Sequence, residues 1–180
     1  GCPFRCPYCA VPALSGPFTR RSTAAVVAEI AGRRDELGIR DFAFYDDALL
    51  AGGTALLEAL PSLGVHFHCP NALHAKWITP EIARLLWEGG FKTIRIGLET
   101  ADPAVQEHTG GKVTCAAFAA AAENLRAAGY TRDDVGTYIL CGLPRQAAED
   151  VARSIHYVRQ AGARPVLAEY SPIPKTALWP

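Results

Sequence analysis

The sequence predicts an α/β fold: a partial (β/α)6 TIM-like barrel of parallel strands whose first strand is truncated. Three observations predict it. Short runs of strand character alternate strictly with helical runs from residue 22 onward. The helical runs carry their own start and stop residues. Six βα units fit 180 residues, whereas a closed eightfold barrel takes about 250.

The elements follow in order. Residues 22–38, STAAVVAEIAGRRDELG, read as a helix with Ser22 as N-cap and Gly38 as stop, and Val26, Ile30 and Leu37 as its apolar stripe. DFAFYDD (41–47) reads as a strand ending in two acids, and GTALLEALPSLG (53–64) as a helix with Pro61 near its end. VHFHC (65–69) alternates as a strand does. TPEIARLLWEGG (79–90) opens on an N-cap Thr79 with Pro80 at the first helical position. TIRIGLE (93–99) is another alternating strand, and DPAVQEH (102–108) a short helical turn. TCAAFAAAAENLRAAG (114–129) is alanine-rich and stops at Gly129. VGTYILCG (135–142), QAAEDVARSIHYVRQAG (146–162) and PVLAEYS (165–171) complete the series as strand, helix and strand. Residues 10–21, rich in Pro, Gly and Ser, are expected to be loop. HTGGK (108–112) lacks the strand–loop–helix context of a phosphate loop and reads as a connector.

Composition narrows the function classes. Lys plus Arg equals Asp plus Glu, 18 each. This balance argues against a strong nucleic-acid footprint. No apolar run approaches the length of a membrane span. The chain begins at Gly1 and has no methionine. The expectation is therefore one domain, 1–180, cut from a longer protein. Three of six cysteines crowd the first nine residues and the others are scattered. That pattern points to metal binding and a reducing cytoplasm rather than to disulfide stapling.

Strand alternation assigns faces. Val65, Phe67 and Cys69 suit the helix side, which leaves His66 and His68 inward. Ile94, Ile96 and Leu98 suit the helix side, which leaves Arg95, Gly97 and Glu99 inward. Glu169 shares a face with Ser171 and is expected in the same lining, and Asp46 and Asp47 end their strand at the rim. Buried charges need partners, so this lining is either a self-satisfied network, Arg95 with Glu99 or Glu169, or a binding cavity. Cys69, Cys115 and Cys141 read as small structural residues.

Cys2, Cys6 and Cys9 supply three soft thiolates from one loop. A structural zinc site closes with four ligands, and His66, His68, His74 or Cys69 could supply the fourth. Three thiolates on an iron–sulfur cubane instead leave one iron open to an outside ligand.

CPFRCPYC is a C-x3-C-x2-C motif with an aromatic residue before the last cysteine. It resembles the signature of the radical S-adenosylmethionine (SAM) superfamily. YDDALL, IGLET, YILCGLP and YSPIPKT resemble family segments that follow successive strands. Together with FHCPNALHA, they look most like radical SAM proteins that carry a cobalamin-binding-type domain, in the group of methylthiotransferases and Elongator-type enzymes. The resemblance implies a 4Fe–4S cluster on Cys2, Cys6 and Cys9, with SAM chelating the open iron. It implies Tyr45, Asp46 and Asp47 beside the SAM amine, partly through backbone carbonyls. Glu99 would take the ribose hydroxyls or the amine, and Tyr8, Ile139 and Gly142 would help form the adenine slot. The implied reaction is reductive cleavage of SAM to a 5′-deoxyadenosyl radical that acts on an unidentified substrate. A flavodoxin or ferredoxin would supply the electron, and cobalamin could bind through a domain outside this chain. The alternatives are a radical methyltransferase or methylthiotransferase on RNA or protein, and a non-catalytic zinc or cluster fold. Two positions depart from the family pattern: Arg145 and Lys175 stand where relatives commonly place glycine.

Overall fold

The computed structural model describes residues 1–179. Five parallel strands form one open sheet in sequential order: β1 (Asp41–Ala43), β2 (His66–His68), β3 (Phe91–Glu99), β4 (Val135–Cys141) and β5 (Arg164–Glu169). Helix α2 (Thr23–Leu37) leads into β1, and helices α3 (Ala55–Ala59), α4 (Pro80–Glu88), α6 (Cys115–Ala128) and α7 (Ala148–Gln160) provide the crossovers. The two remaining helices are short, α1 (Val11–Leu14) and α5 (Pro103–His108). The α/β partial-barrel reading therefore holds for the five strands that follow the first long helix. The strand expected ahead of Cys2 would precede residue 1.

The caps form as local chemistry dictates. The Ser22, Thr79 and Thr114 hydroxyls accept from the amides of Ala25, Ile82 and Ala117, which satisfies donors that have no partner within the helix. Gly38 and Gly129 end their helices in the left-handed conformation. Helix α3 is shorter than the expected 53–64: at Pro61 the chain tightens into a 3-10 turn, Leu60–Leu63. Helix α1 replaces part of the expected loop.

The core lies between the sheet and its helices. Phe67, Ile94, Ile96 and Leu98 are fully buried there, and Val65 and Cys69 nearly so, as alternation predicted. Phe67 packs against Phe42, Phe44 and Phe91 with ring centroids 5.3–6.3 Å apart. Leu37 does not join the apolar stripe of α2; at the last turn, beyond the core, it stays 59% exposed.

Phe67→Ala should lower unfolding free energy by about 3–5 kcal/mol, since a fully buried ring leaves a cavity. Leu14→Ala, at an exposed position of α1, should stay within about 0.5 kcal/mol of the parent. Denaturant titration of both variants checks the contrast.

Candidate functional site

A cavity of about 290 Å³ opens at the C-terminal rim of the strands. Cys2, Cys6 and Cys9 line one side of it. The cysteine loop folds tightly, with the Cys9 amide donating to the Cys6 carbonyl at 3.0 Å. Cys6 is buried and the other two thiols are half-buried. Among the described residues, no three His, Cys, Asp or Glu side chains converge on a single-ion position.

Three segments complete the walls. The first follows β2, and its backbone is pinned along its length. The Tyr138 hydroxyl donates to the Pro70 carbonyl at 2.9 Å, and the Asn71 amide donates to the Tyr45 carbonyl at 2.8 Å. Leu73 bridges to Ile96 on β3, and its amide donates to the Arg95 carbonyl at 2.7 Å. His74 then sits 3.9 Å from the Cys2 sulfur, measured at Nε2.

The second segment is the end of β3. Glu99 has a left-handed backbone, φ 66°, rare for a residue with a side chain. Its carboxylate folds back over Gly97, where a Cβ would lie only 2.8 Å from Glu99 Oε1. A side chain at position 97 would displace the Glu99 carboxylate from where Lys112 meets it.

The third segment is the connector between α5 and α6 that the sequence predicts, and it also reaches the site. Residues 108–112 pass against the cysteine loop; Gly110, φ 103°, packs on Cys6. Lys112 follows and places its Nζ 2.5 Å from Glu99 Oε1. The ammonium also lies 5.7 Å from the Tyr8 ring centroid.

The electrostatics follow from burial. Burial raises the Cys6 thiol above its usual pKa, and Lys112 draws it back. Burial, then Glu99, pushes the Tyr8 phenol up; its buried hydroxyl has no hydrogen-bond partner. Burial, the largest influence on Lys112, pulls its ammonium down, but the Glu99 carboxylate and the Cys6 and Cys9 thiols outweigh it, so Lys112 sits above the ordinary lysine value. Burial, followed by Lys112 and Lys76, pushes His74 down to about 4, which keeps its ring neutral at neutral pH.

The structure sorts the expected residues. Cys2, Cys6, Cys9, Tyr8 and Asp47 line the cavity. Glu99 reaches its edge through Lys112, which is itself a lining residue. The Tyr45 side chain is exposed, and its backbone carbonyl faces Asn71. Asp46 lines a separate cavity with Arg20 and Arg21.

Ile139 is fully buried in the core, so its neighbour Tyr138 faces the cavity instead. Gly142 turns the chain just beyond β4, φ 88°, with its amide donating to Gln146 Oε1. Cys69 and Cys141 do not line the cavity; Cys69 is fully buried, and burial, then Asp46, pushes its thiol up to about 12.

Four lining candidates lie elsewhere. His66 and His68 flank Asp41 Oδ1 at 3.4 and 3.2 Å, and His68 Nδ1 pairs with Thr93 at 2.9 Å. That group sits on the strands below the rim; the His68 hydrogen bond, followed by His66, holds the Asp41 carboxyl below its usual range. Arg95 pairs with neither Glu99 nor Glu169; it lies across Gly136 and donates to the Ile94 carbonyl at 3.0 Å. Glu169 stands opposite Cys141 in register, one position out of phase with the Tyr138–Val166 pair, and is exposed. Strand alternation therefore puts it off the face that Tyr138 presents.

Lys112→Met should destabilise the fold by about 3–5 kcal/mol, because it strands the buried Glu99 carboxylate. Adding Glu99→Gln should recover much of that loss. A double-mutant cycle by denaturation checks it; additive effects would contradict the pairing.

Residues 1–158 match the Radical SAM superfamily. The uncharacterized methyltransferase PH0819 of Pyrococcus horikoshii is 25% identical over 186 residues, covering 99% of this chain and 39% of that protein. The hopanoid C-2 methylase of Rhodopseudomonas palustris is 34% identical over 114 residues, 57% of this chain and 21% of that protein. The chain thus spans two-fifths or less of the length of these relatives. Among solved structures, the radical S-adenosylmethionine methyltransferase TsrM from Kitasatospora setae, with cobalamin and a 4Fe–4S cluster bound, superposes with a TM-score of 0.84 at 20% identity. That match covers 99% of this chain and 37% of TsrM. Coproporphyrinogen III oxidase HemN from Escherichia coli gives a TM-score of 0.74 at 16% identity, over 98% of this chain and 44% of that one. These structural likenesses carry the barrel fold. With a three-cysteine loop set at the rim of that fold and a family match over most of its length, the chain belongs to the radical SAM superfamily.

Proposed function

We propose that this chain is the core of a radical SAM enzyme in which Cys2, Cys6 and Cys9 hold a 4Fe–4S cluster and leave one iron for SAM. The observation that carries this reading is the shared cavity: three thiols from one loop face the same space as a buried Lys–Glu pair. The residues fit the group. The sulfurs line one wall without converging on a point, which suits a cluster whose irons each take one thiolate. Gly110 lies beside Cys6, and its left-handed backbone, φ 103°, suits glycine there. When bound and reduced, the cluster supplies the electron that breaks a carbon–sulfur bond of SAM.

The chain's own groups position the co-substrate. Asp47 offers a carboxylate to the SAM amine, and the Tyr45 carbonyl, held by Asn71, offers an acceptor near the same wall. Glu99 presents acceptors to the ribose hydroxyls or the amine. Lys112 holds a positive charge that a carboxylate can meet. Tyr8 and Tyr138 give apolar walls with polar tips, which suits a purine. The lining is half-buried, so each charge in the cavity acts more strongly than it would in bulk water.

A methyl-transferring enzyme is the second reading. Both curated relatives are named for methyl transfer, and TsrM holds cobalamin. In that reading a cobalamin-binding domain outside this chain completes the enzyme. Either reaction needs a reductant, for which a flavodoxin or ferredoxin is suited. Among the described residues no helix is long and apolar enough to cross a membrane. All six cysteines are free thiols, which suits a reducing cytoplasm.

Reconstitution of the full-length protein with iron and sulfide under anaerobic conditions should give brown protein with about four irons per chain. With SAM and a reductant it should release 5′-deoxyadenosine or a methylated product. Cys6→Ala should abolish both cluster and product. Colourless protein holding one zinc per chain, or a Cys6→Ala variant that keeps its activity, would overturn the proposal.

A further inference from the structure

Resting on the cluster assignment above, we propose that His74 donates an Nε2–H hydrogen bond to the sulfur of Cys2 and so raises the reduction potential of the cluster. The geometry begins with the contact itself: Nε2 stands 3.9 Å from the Cys2 sulfur, within reach of an N–H···S bond. Among the described residues, His74 is the side chain that meets the Cys2 sulfur. A cysteine that binds iron is a thiolate and can only accept. The ring must therefore offer its proton at Nε2, the nitrogen that faces the sulfur, and the Nε2–H tautomer leaves Nδ1 as a bare acceptor. Nδ1 is the atom that the fold buries without a partner. An unpaired acceptor there costs less than an orphaned N–H, so the environment selects the tautomer that the sulfur needs.

The ring is held where this bond requires it. Phe4, from the cysteine loop itself, stacks on His74 with centroids 4.7 Å apart and planes 21° apart. Trp77 packs against it at 4.8 Å. The Lys76 ammonium covers the outer face of Phe4 at 4.3 Å. On the backbone, Leu73 is tied to Arg95 on one side of His74, and on the other the Trp77 amide donates to the His74 carbonyl at 3.0 Å. His74 is 8% exposed, so its ring is largely shielded from water. A donor aimed at a cluster sulfur favours the more negative, reduced state, and such bonds are among the levers that set these potentials. His74 is thus a positioning residue, acting on the cluster through Cys2.

The test compares the full-length wild type with His74→Phe and His74→Gln after reconstitution with iron and sulfide. Phe keeps a flat ring and removes the donor; Gln places an amide N–H near the position of Nε2. Wild type and variants should take up equal iron. The midpoint potential should move negative in His74→Phe and stay near wild type in His74→Gln. Equal potentials in wild type and His74→Phe overturn the inference and leave the cluster assignment standing. Wild type that takes up no cluster overturns both. Should His74→Phe fail to fold, pulsed EPR on reduced wild type labelled with 15N-histidine decides. A weak nitrogen coupling supports the hydrogen bond. No coupling, or the strong coupling of a direct ligand, overturns it.

Discussion

The molecule depends on the alternation of one central strand. Strand β3 buries Ile94, Ile96 and Leu98 against helices, so Arg95 and Gly97 occupy the other face, and a register shift with a left-handed backbone at Glu99 folds its carboxylate back over Gly97. A carboxylate at that position is costly unless a cation meets it. Lys112 meets it, and the connector that brings Lys112 there presses Gly110 against Cys6. The cysteine loop is therefore located through a charge pair that the core makes necessary. Fold and site share one cause.

The same economy explains two departures from the family pattern. Arg145 and Lys175, which the sequence reading set against glycines of the family, both have a left-handed backbone, φ 65° and 69°. A side chain in that region costs on the order of 1 kcal/mol or more and persists where the surroundings hold it. Around Arg145 they do. Gln146 accepts from the amides of Gly142 and Leu143 and donates to the Leu140 carbonyl. Around Lys175, Thr176 bonds back to the Ile173 carbonyl through both its amide and its hydroxyl. Each of these turns thus carries a positively charged side chain on a left-handed residue.

Much of this was legible in the sequence, because it rests on periodicity and on spacing. The strand faces of β2 and β3, the caps at Ser22, Thr79 and Thr114, and the cysteine triplet all follow from local rules. Distance along the chain hid the rest. Lys112 lies 13 positions after the glutamate it neutralises, inside a stretch whose glycines read as mere connection. His74 was visible only as one histidine among several, since no local pattern places it against Cys2. His66, His68 and Arg95 face the side that alternation predicted, yet sit too far down their strands to reach the rim. Alternation fixes a face but not a height. Ile139 and Tyr138 show the converse: on the same strand Tyr138 lines the cavity while Ile139 is buried in the core.

The central claim is that three thiols bind three irons and leave a fourth open to an outside ligand. Mössbauer spectroscopy of protein reconstituted with 57Fe, with and without SAM, tests it most directly. The account predicts one iron in about four whose isomer shift changes when SAM is added, while the other three hold theirs. Four irons indifferent to SAM, or a spectrum in which every iron is already saturated by protein ligands, would contradict it.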